Sequence, residues 1–93
     1  MAKVIAVQFD IYGRVQGVGY RWFVMKSAQE LNLVGTVKNN PDRSVTVVVQ
    51  GDETIINILK EILIKGPALS RVSDIKQSPV NLNENLREFK VIF

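Results

Sequence analysis

Apolar and polar residues alternate strictly through "VIAVQFDI", with Ile5, Val7, Phe9 and Ile11 on one side and Gln8 and Asp10 on the other, the period of a half-buried strand. Beyond a glycine-containing segment the period lengthens. Tyr20, Val24, Ala28 and Leu31 recur at helical spacing, and Asn32 can end that helix in the left-handed region. "VGTVKN" and "SVTVVVQ" read as a second and a third strand, the latter with Val45, Val47 and Val49 pointing one way. Between them "NPDR" is expected to turn tightly, because proline pre-sets the first central dihedral and Asn or Asp suits the ends. A second helix follows, with Asp52 as N-cap, Ile55, Leu59 and Ile62 as its apolar stripe, and "KGP" as a stop built from a cation, a glycine and a proline. "SRVSDIKQSPV" is a weaker strand, "NLNEN" a short loop, and "REFKVIF" a closing strand with Phe89, Val91 and Phe93 on one side.

Strand, helix, strand, strand, helix, strand, with an extra terminal strand, is the order of a ferredoxin-like split βαβ fold. This is an α+β domain with two helices on one face of a mainly antiparallel sheet. A length of 93 residues, 46% of them hydrophobic, suits one core and not two, so residues 1–93 are read as a single domain. No run of about 18 apolar residues occurs, and the apolar stretch of "MAKVIAVQFD" is too short and interrupted for a signal peptide. A cytoplasmic protein away from the membrane is therefore expected. Twelve basic residues against nine acidic give a net charge of +3, a slight lean toward anionic ligands. The chain has neither cysteine nor histidine, which removes disulfides, thiolate metal sites and the commonest general base. The fold hosts many functions, so the chemistry has to come from particular residues.

Those residues gather in "YGRVQGVGYRWF", Tyr12 to Phe23, which runs from the first strand into the first helix. Gly13, Gly17 and Gly19 allow positive φ and a close approach of backbone to ligand. Consecutive amides in such a loop can converge on an anion, and the amino-terminal end of the helix adds its own unpaired N–H groups and dipole. Arg21 stands where a planar guanidinium could grip two phosphate oxygens. The pattern is neither a Walker loop nor a dinucleotide fingerprint. Taken alone it leaves two alternatives open, a phosphate cradle and a strand-to-helix turn beside a solvated arginine.

"GRVQGVGYR", Gly13 to Arg21, together with "GTVKN", Gly35 to Asn39, resembles the acylphosphatase family, and the likeness covers essentially the whole chain. That resemblance implies a small enzyme hydrolysing carboxyl-phosphate mixed anhydrides. It implies phosphate binding by the backbone amides of Val15, Gln16, Gly17, Val18, Gly19 and Tyr20 and by the Arg21 side chain, with Asn39 positioning the attacking water. Asn39 by itself reads as turn chemistry, for which Asn40 is as well suited, and only the motif reverses this. If the second strand lies beside the first, its end and the loop meet over one phosphate. Lys38 should face away. Trp22 and Phe23 read as core or flank packing rather than ligand contacts. The family's usual turn after the asparagine is Asp-Gly, whereas this chain has Arg43 at the glycine position. The family's usual phenylalanine is replaced by Tyr20, whose hydroxyl is expected at solvent or at the site.

The chemistry is compatible with the missing histidine. The leaving carboxylate has a conjugate acid of pKa about 4 to 5 and departs without a proton, so no general acid is needed. A loose phosphoryl-transfer transition state asks mainly for positioning and for placed charge. Direct attack by water is expected, with no cofactor, no metal and no phosphoenzyme. Cysteine and histidine phosphatase chemistry is ruled out by composition, and the acids Asp10, Glu30, Asp42, Asp52 and Glu53 are scattered. An RNA-recognition module shares the element order, but "SVTVVVQ" has no aromatic residue on which to stack bases. A non-catalytic phosphate or carbamoyl-phosphate binding unit, as in larger maturation proteins, is a second alternative. Without cysteine zinc ligands, a free-standing monomeric enzyme acting on a small acyl phosphate and releasing inorganic phosphate is expected, with no nucleic-acid or membrane partner.

Overall fold

The structure is a computed structural model and describes residues 3–93, so the first two residues of the expected domain lie outside it. In chain order the elements are β1 (Val4–Arg14), α1 (Tyr20–Glu30), β2 (Val34–Asn39), β3 (Val45–Asp52), α2 (Glu53–Lys65), β4 (Arg71–Pro79) and β5 (Phe89–Val91). They form one five-stranded sheet in the order β4-β1-β3-β2-β5. Every neighbouring pair is antiparallel except β2 and β5, which run parallel, so the added strand makes the sheet mixed. This is the ferredoxin-like arrangement with one strand appended at an edge.

The period-2 pattern decides what faces the helices. Phe9 and Ile11 of β1, Val37 of β2, and Val45, Val47 and Val49 of β3 are fully buried on that face. From α1, Tyr20, Val24 and Ala28 pack onto them, and Asn32 follows with φ 57°, the left-handed stop expected of it. Asp52 caps α2, its carboxylate accepting from the Thr54 N–H at 2.8 Å. The buried stripe of α2 is Ile56, Leu59 and Leu63 rather than Ile55, Leu59 and Ile62. Apolar residues occupy both candidate stripes, so spacing alone could not say which one meets the sheet; Ile55 packs at the core's margin instead.

One further expectation changes. β2 does not lie beside β1, because β3 separates them. Since β3 is antiparallel to both, β1 and β2 point the same way and finish at the same end of the sheet. Val45 pairs with Ile11 on one side and with Asn39 on the other, which puts those two residues two strand spacings, roughly 10 Å, apart. The end of β2 therefore reaches the loop after β1 without pairing with it.

Candidate active site

The loop between β1 and α1 has a division of labour among its glycines. Gly13 belongs to the sheet: the β1/β4 register shifts between Tyr12 and Gly13, and a Cβ on Gly13 would meet the Arg71 carbonyl oxygen at 2.1 Å. Gly17 and Gly19, at φ 73° and 75°, have open space where a side chain would go, so there it is the left-handed backbone and not crowding that calls for glycine. The Val15 N–H donates to the Gly13 carbonyl at 3.1 Å, and the Val15 side chain is buried. Among the described residues the amides from Gln16 to Tyr20 make no backbone hydrogen bond, so the donors left for a ligand begin at Gln16 and not at Val15. Val18 turns its side chain onto the margin of the core.

The two helix starts differ in a way that bears on the ligand. At α2 the chain supplies its own negative groups, the Asp52 cap and Glu53 in the first turn. At α1 the cap is Gly19, no side chain accepts from the first amides, and the first turn has no acidic residue. Arg21 follows at once, and its guanidinium lies 4.9 Å above the Phe93 ring. Among the described residues the sole ion pair is Lys90 with Glu88, so Arg21 has no carboxylate partner. Free amides, a helix dipole and an unpaired guanidinium thus accumulate positive potential at one point.

Asn39 ends β2 on the helix-facing side, two residues beyond buried Val37, while Lys38 is exposed on the opposite face as expected. Its carboxamide oxygen is buried, with no hydrogen-bond partner, and is the one side-chain atom in that condition among the described residues. Asn40, by contrast, is occupied by the turn, its Nδ2 donating to Ser44 Oγ at 3.0 Å and to Thr46 Oγ1 at 2.7 Å. Thr46 in turn donates to Asp10 at 2.8 Å. Structure thus separates two adjacent asparagines, one holding the hairpin and one turned to the cavity.

The hairpin itself closes with Arg43 N–H donating to the Asn40 carbonyl at 3.0 Å and Asn40 N–H donating to that of Ser44 at 2.9 Å. Arg43 has φ 74°, the left-handed conformation that ends a three-residue loop of this kind. Asp42 accepts from both the hydroxyl and the amide of Ser44, which hold its carboxyl below the usual value. Sequence reasoning missed the role of the Gln16 side chain. Its amide nitrogen donates to the carbonyls of Asn40 and Ser44, both at 2.9 Å, and so ties the glycine loop to the hairpin that carries Asn39.

A cavity of about 410 Å³ brings together Gln16, Gly17, Gly19, Arg21 and Asn39, with the buried Val15 and Tyr20 at its floor. One expectation is corrected here. The Tyr20 hydroxyl reaches neither solvent nor the site; it is buried and donates to the Leu63 carbonyl at 2.7 Å, and burial pushes its pKa up. Leu63 would otherwise bond to the residue four positions on, and that is Pro67, which has no N–H. Of the core and flank alternatives for Trp22 and Phe23, Trp22 takes the flank, 60% exposed and lining the cavity, whereas Phe23 packs against the core. Phe93 is likewise exposed on the same rim.

Fold and cavity together define a small α+β domain whose strand-to-helix junction is built to receive an anion. The chain belongs to the acylphosphatase family: the family model Acylphosphatase matches residues 7–91. It is 39% identical over 88 residues to an acylphosphatase of Lactobacillus johnsonii, which covers 94% of this chain and 97% of that one. The crystal structure of acylphosphatase from Bacillus subtilis superposes with a TM-score of 0.91 at 31% identity, covering 98% of this chain and all of the other. Full-length HypF in its phosphate- and nucleotide-bound form matches with a TM-score of 0.89 at 35% identity, covering this whole chain but 12% of that much longer one. Acylphosphatases hydrolyse acyl phosphates.

Proposed function

We propose that this chain hydrolyses acyl phosphates by direct attack of water on phosphorus, without a metal and without a phosphoenzyme. The phosphoryl group sits on the amides from Gln16 to Tyr20 at the start of α1, and Arg21 grips two of its oxygens. The Asn39 carboxamide hydrogen-bonds the attacking water and holds its oxygen toward phosphorus. A new O–P bond forms as the bond to the acyl oxygen breaks; the electron pair leaves with the carboxylate, and a phosphate oxygen takes the water's proton. The carboxylate, with a conjugate acid of pKa about 4 to 5, needs no proton to depart. In the loose transition state charge is spread over the three equatorial phosphoryl oxygens and grows on the departing acyl oxygen, and fixed donors meet the phosphoryl oxygens without reorganisation.

The single observation that supports this best is one cavity lined by Arg21, by Asn39 and by the glycine loop, whose amides from Gln16 to Tyr20 carry no backbone hydrogen bond among the described residues. Among the described residues no three carboxylates gather as metal ligands would. No described helix is long and apolar enough to cross a membrane, and β3 offers no aromatic platform for bases. We read the protein as a cytoplasmic monomer whose partners are a small acyl phosphate and inorganic phosphate. Following benzoyl phosphate in the ultraviolet tests the activity, and turnover well above the spontaneous rate is expected.

A further inference from the structure

The cavity, at about 410 Å³, is larger than a phosphate requires, and its lining combines polar groups with large apolar side chains. Its polar groups, Gln16, Arg21 and Asn39, stand together with the glycine loop. Its apolar lining includes Trp22 and Met25, three residues apart on α1, and Val91 and Phe93, two residues apart at the β5 end of the chain. The parallel register pairs Val37 with Val91, and its continuation brings Phe93 level with Asn39. Trp22 and Phe93 are 60% and 103% exposed, large aromatic surfaces for which the core has no use. Among the described residues no aspartate or glutamate side chain lines the cavity.

We propose that Trp22, Met25, Val91 and Phe93 form the subsite for the acyl group, and that it selects aromatic or bulky apolar acyl phosphates over small ones. The inference rests on the acyl-phosphate reading above and names its substrate class. A phosphoryl group held by the loop and Arg21 leaves the acyl substituent to emerge along the wall that Arg21 borders. The Phe93 ring beneath the guanidinium gives the substituent a continuous apolar surface from the charged end onward.

Non-hydrolysable phosphonates separate this from catalysis. Benzylphosphonate and methylphosphonate share the phosphate end and differ in the group offered to the wall. Calorimetry on the wild type should show the benzyl compound binding about tenfold tighter, the scale of apolar pocket discrimination. Trp22→Ala, at an exposed position, should bring that ratio to about two, and Trp22→Phe should restore most of it. Equal affinities in the wild type, no binding of either compound, or a ratio that Trp22→Ala leaves intact would overturn the proposal. A ratio that responds to Trp22 in a protein that fails to turn over benzoyl phosphate would uphold the subsite and refute hydrolysis instead.

Discussion

The side-chain amide of Gln16 donates to the Ser44 carbonyl at 2.9 Å across 28 residues of chain, and with its second bond to the Asn40 carbonyl it fastens the glycine loop to the β2–β3 hairpin. Arg21 and Asn39 lie on opposite sides of that fastening. Gln16→Leu keeps the backbone amide and approximate volume but removes both bonds. Turnover on benzoyl phosphate should fall on the order of 10- to 100-fold, the scale of a small misplacement of a catalytic group. Inhibition by inorganic phosphate should change much less, because the loop amides and Arg21 remain. Steady-state kinetics with phosphate as competitor reads both effects.

Arg21 supplies charge that no neighbouring carboxylate uses. Arg21→Gln should weaken phosphate binding and lower turnover together, with a loss of roughly 100- to 1,000-fold in kcat/KM. Arg21→Lys should recover little of it, since an ammonium lacks the fork that meets two oxygens and the planar face that rests on Phe93. Inhibition constants and kcat/KM measured side by side check this.

Tyr20 couples the start of α1 to the end of α2 through its bond to Leu63. Tyr20→Phe should cost about 1 kcal/mol at neutral pH, the net worth of such a bond, as read by urea unfolding. The pH dependence has a definite sign. Burial raises the folded phenol above its unfolded value of about 10, so this contribution is fully present below pH 10 and is lost as pH rises through the folded pKa. Between those values the wild type should lose up to about 1.4 kcal/mol per pH unit from this group. Tyr20→Phe should lack that part of the slope.

Arg43 pays for a left-handed backbone with φ 74°. Arg43→Gly should remove a strain of about 1 kcal/mol and, after the greater unfolded-state freedom of glycine, stabilise the protein by roughly 0.5 kcal/mol. Activity should stay near that of the wild type, because the hydrogen bonds closing the hairpin are backbone bonds that glycine keeps. Thermal unfolding and a benzoyl phosphate assay decide it.

What the chain disclosed in advance follows the range of the forces involved. The alternation of Val7, Phe9 and Ile11, the Asp52 cap and the left-handed Asn32 are local matters, legible because each depends on a few neighbouring residues. Arg21 and Asn39 were singled out through their motifs, and the cavity contains both. Partners distant in sequence were not legible. The intervening β3, the parallel seating of β5, the choice of Ile56 and Leu63 over Ile55 and Ile62, and the turn of Tyr20 toward Leu63 all depend on tertiary packing. So does the Gln16 side chain, whose acceptors are backbone carbonyls that sequence pattern does not mark. Whether Trp22 packs in the core or on the flank is likewise open in the sequence, because it depends on the rotation of α1 against the sheet.

The role of Asn39 is tested most directly by hydrolysis of benzoyl phosphate in the presence of a chelator, wild type and Asn39→Ala side by side. Rapid wild-type turnover that persists in chelator, falls about 100-fold or more in Asn39→Ala, and leaves inhibition by inorganic phosphate near its wild-type value is the expected result. Turnover abolished by the chelator, or undiminished without the Asn39 carboxamide, would contradict water attack directed from that position.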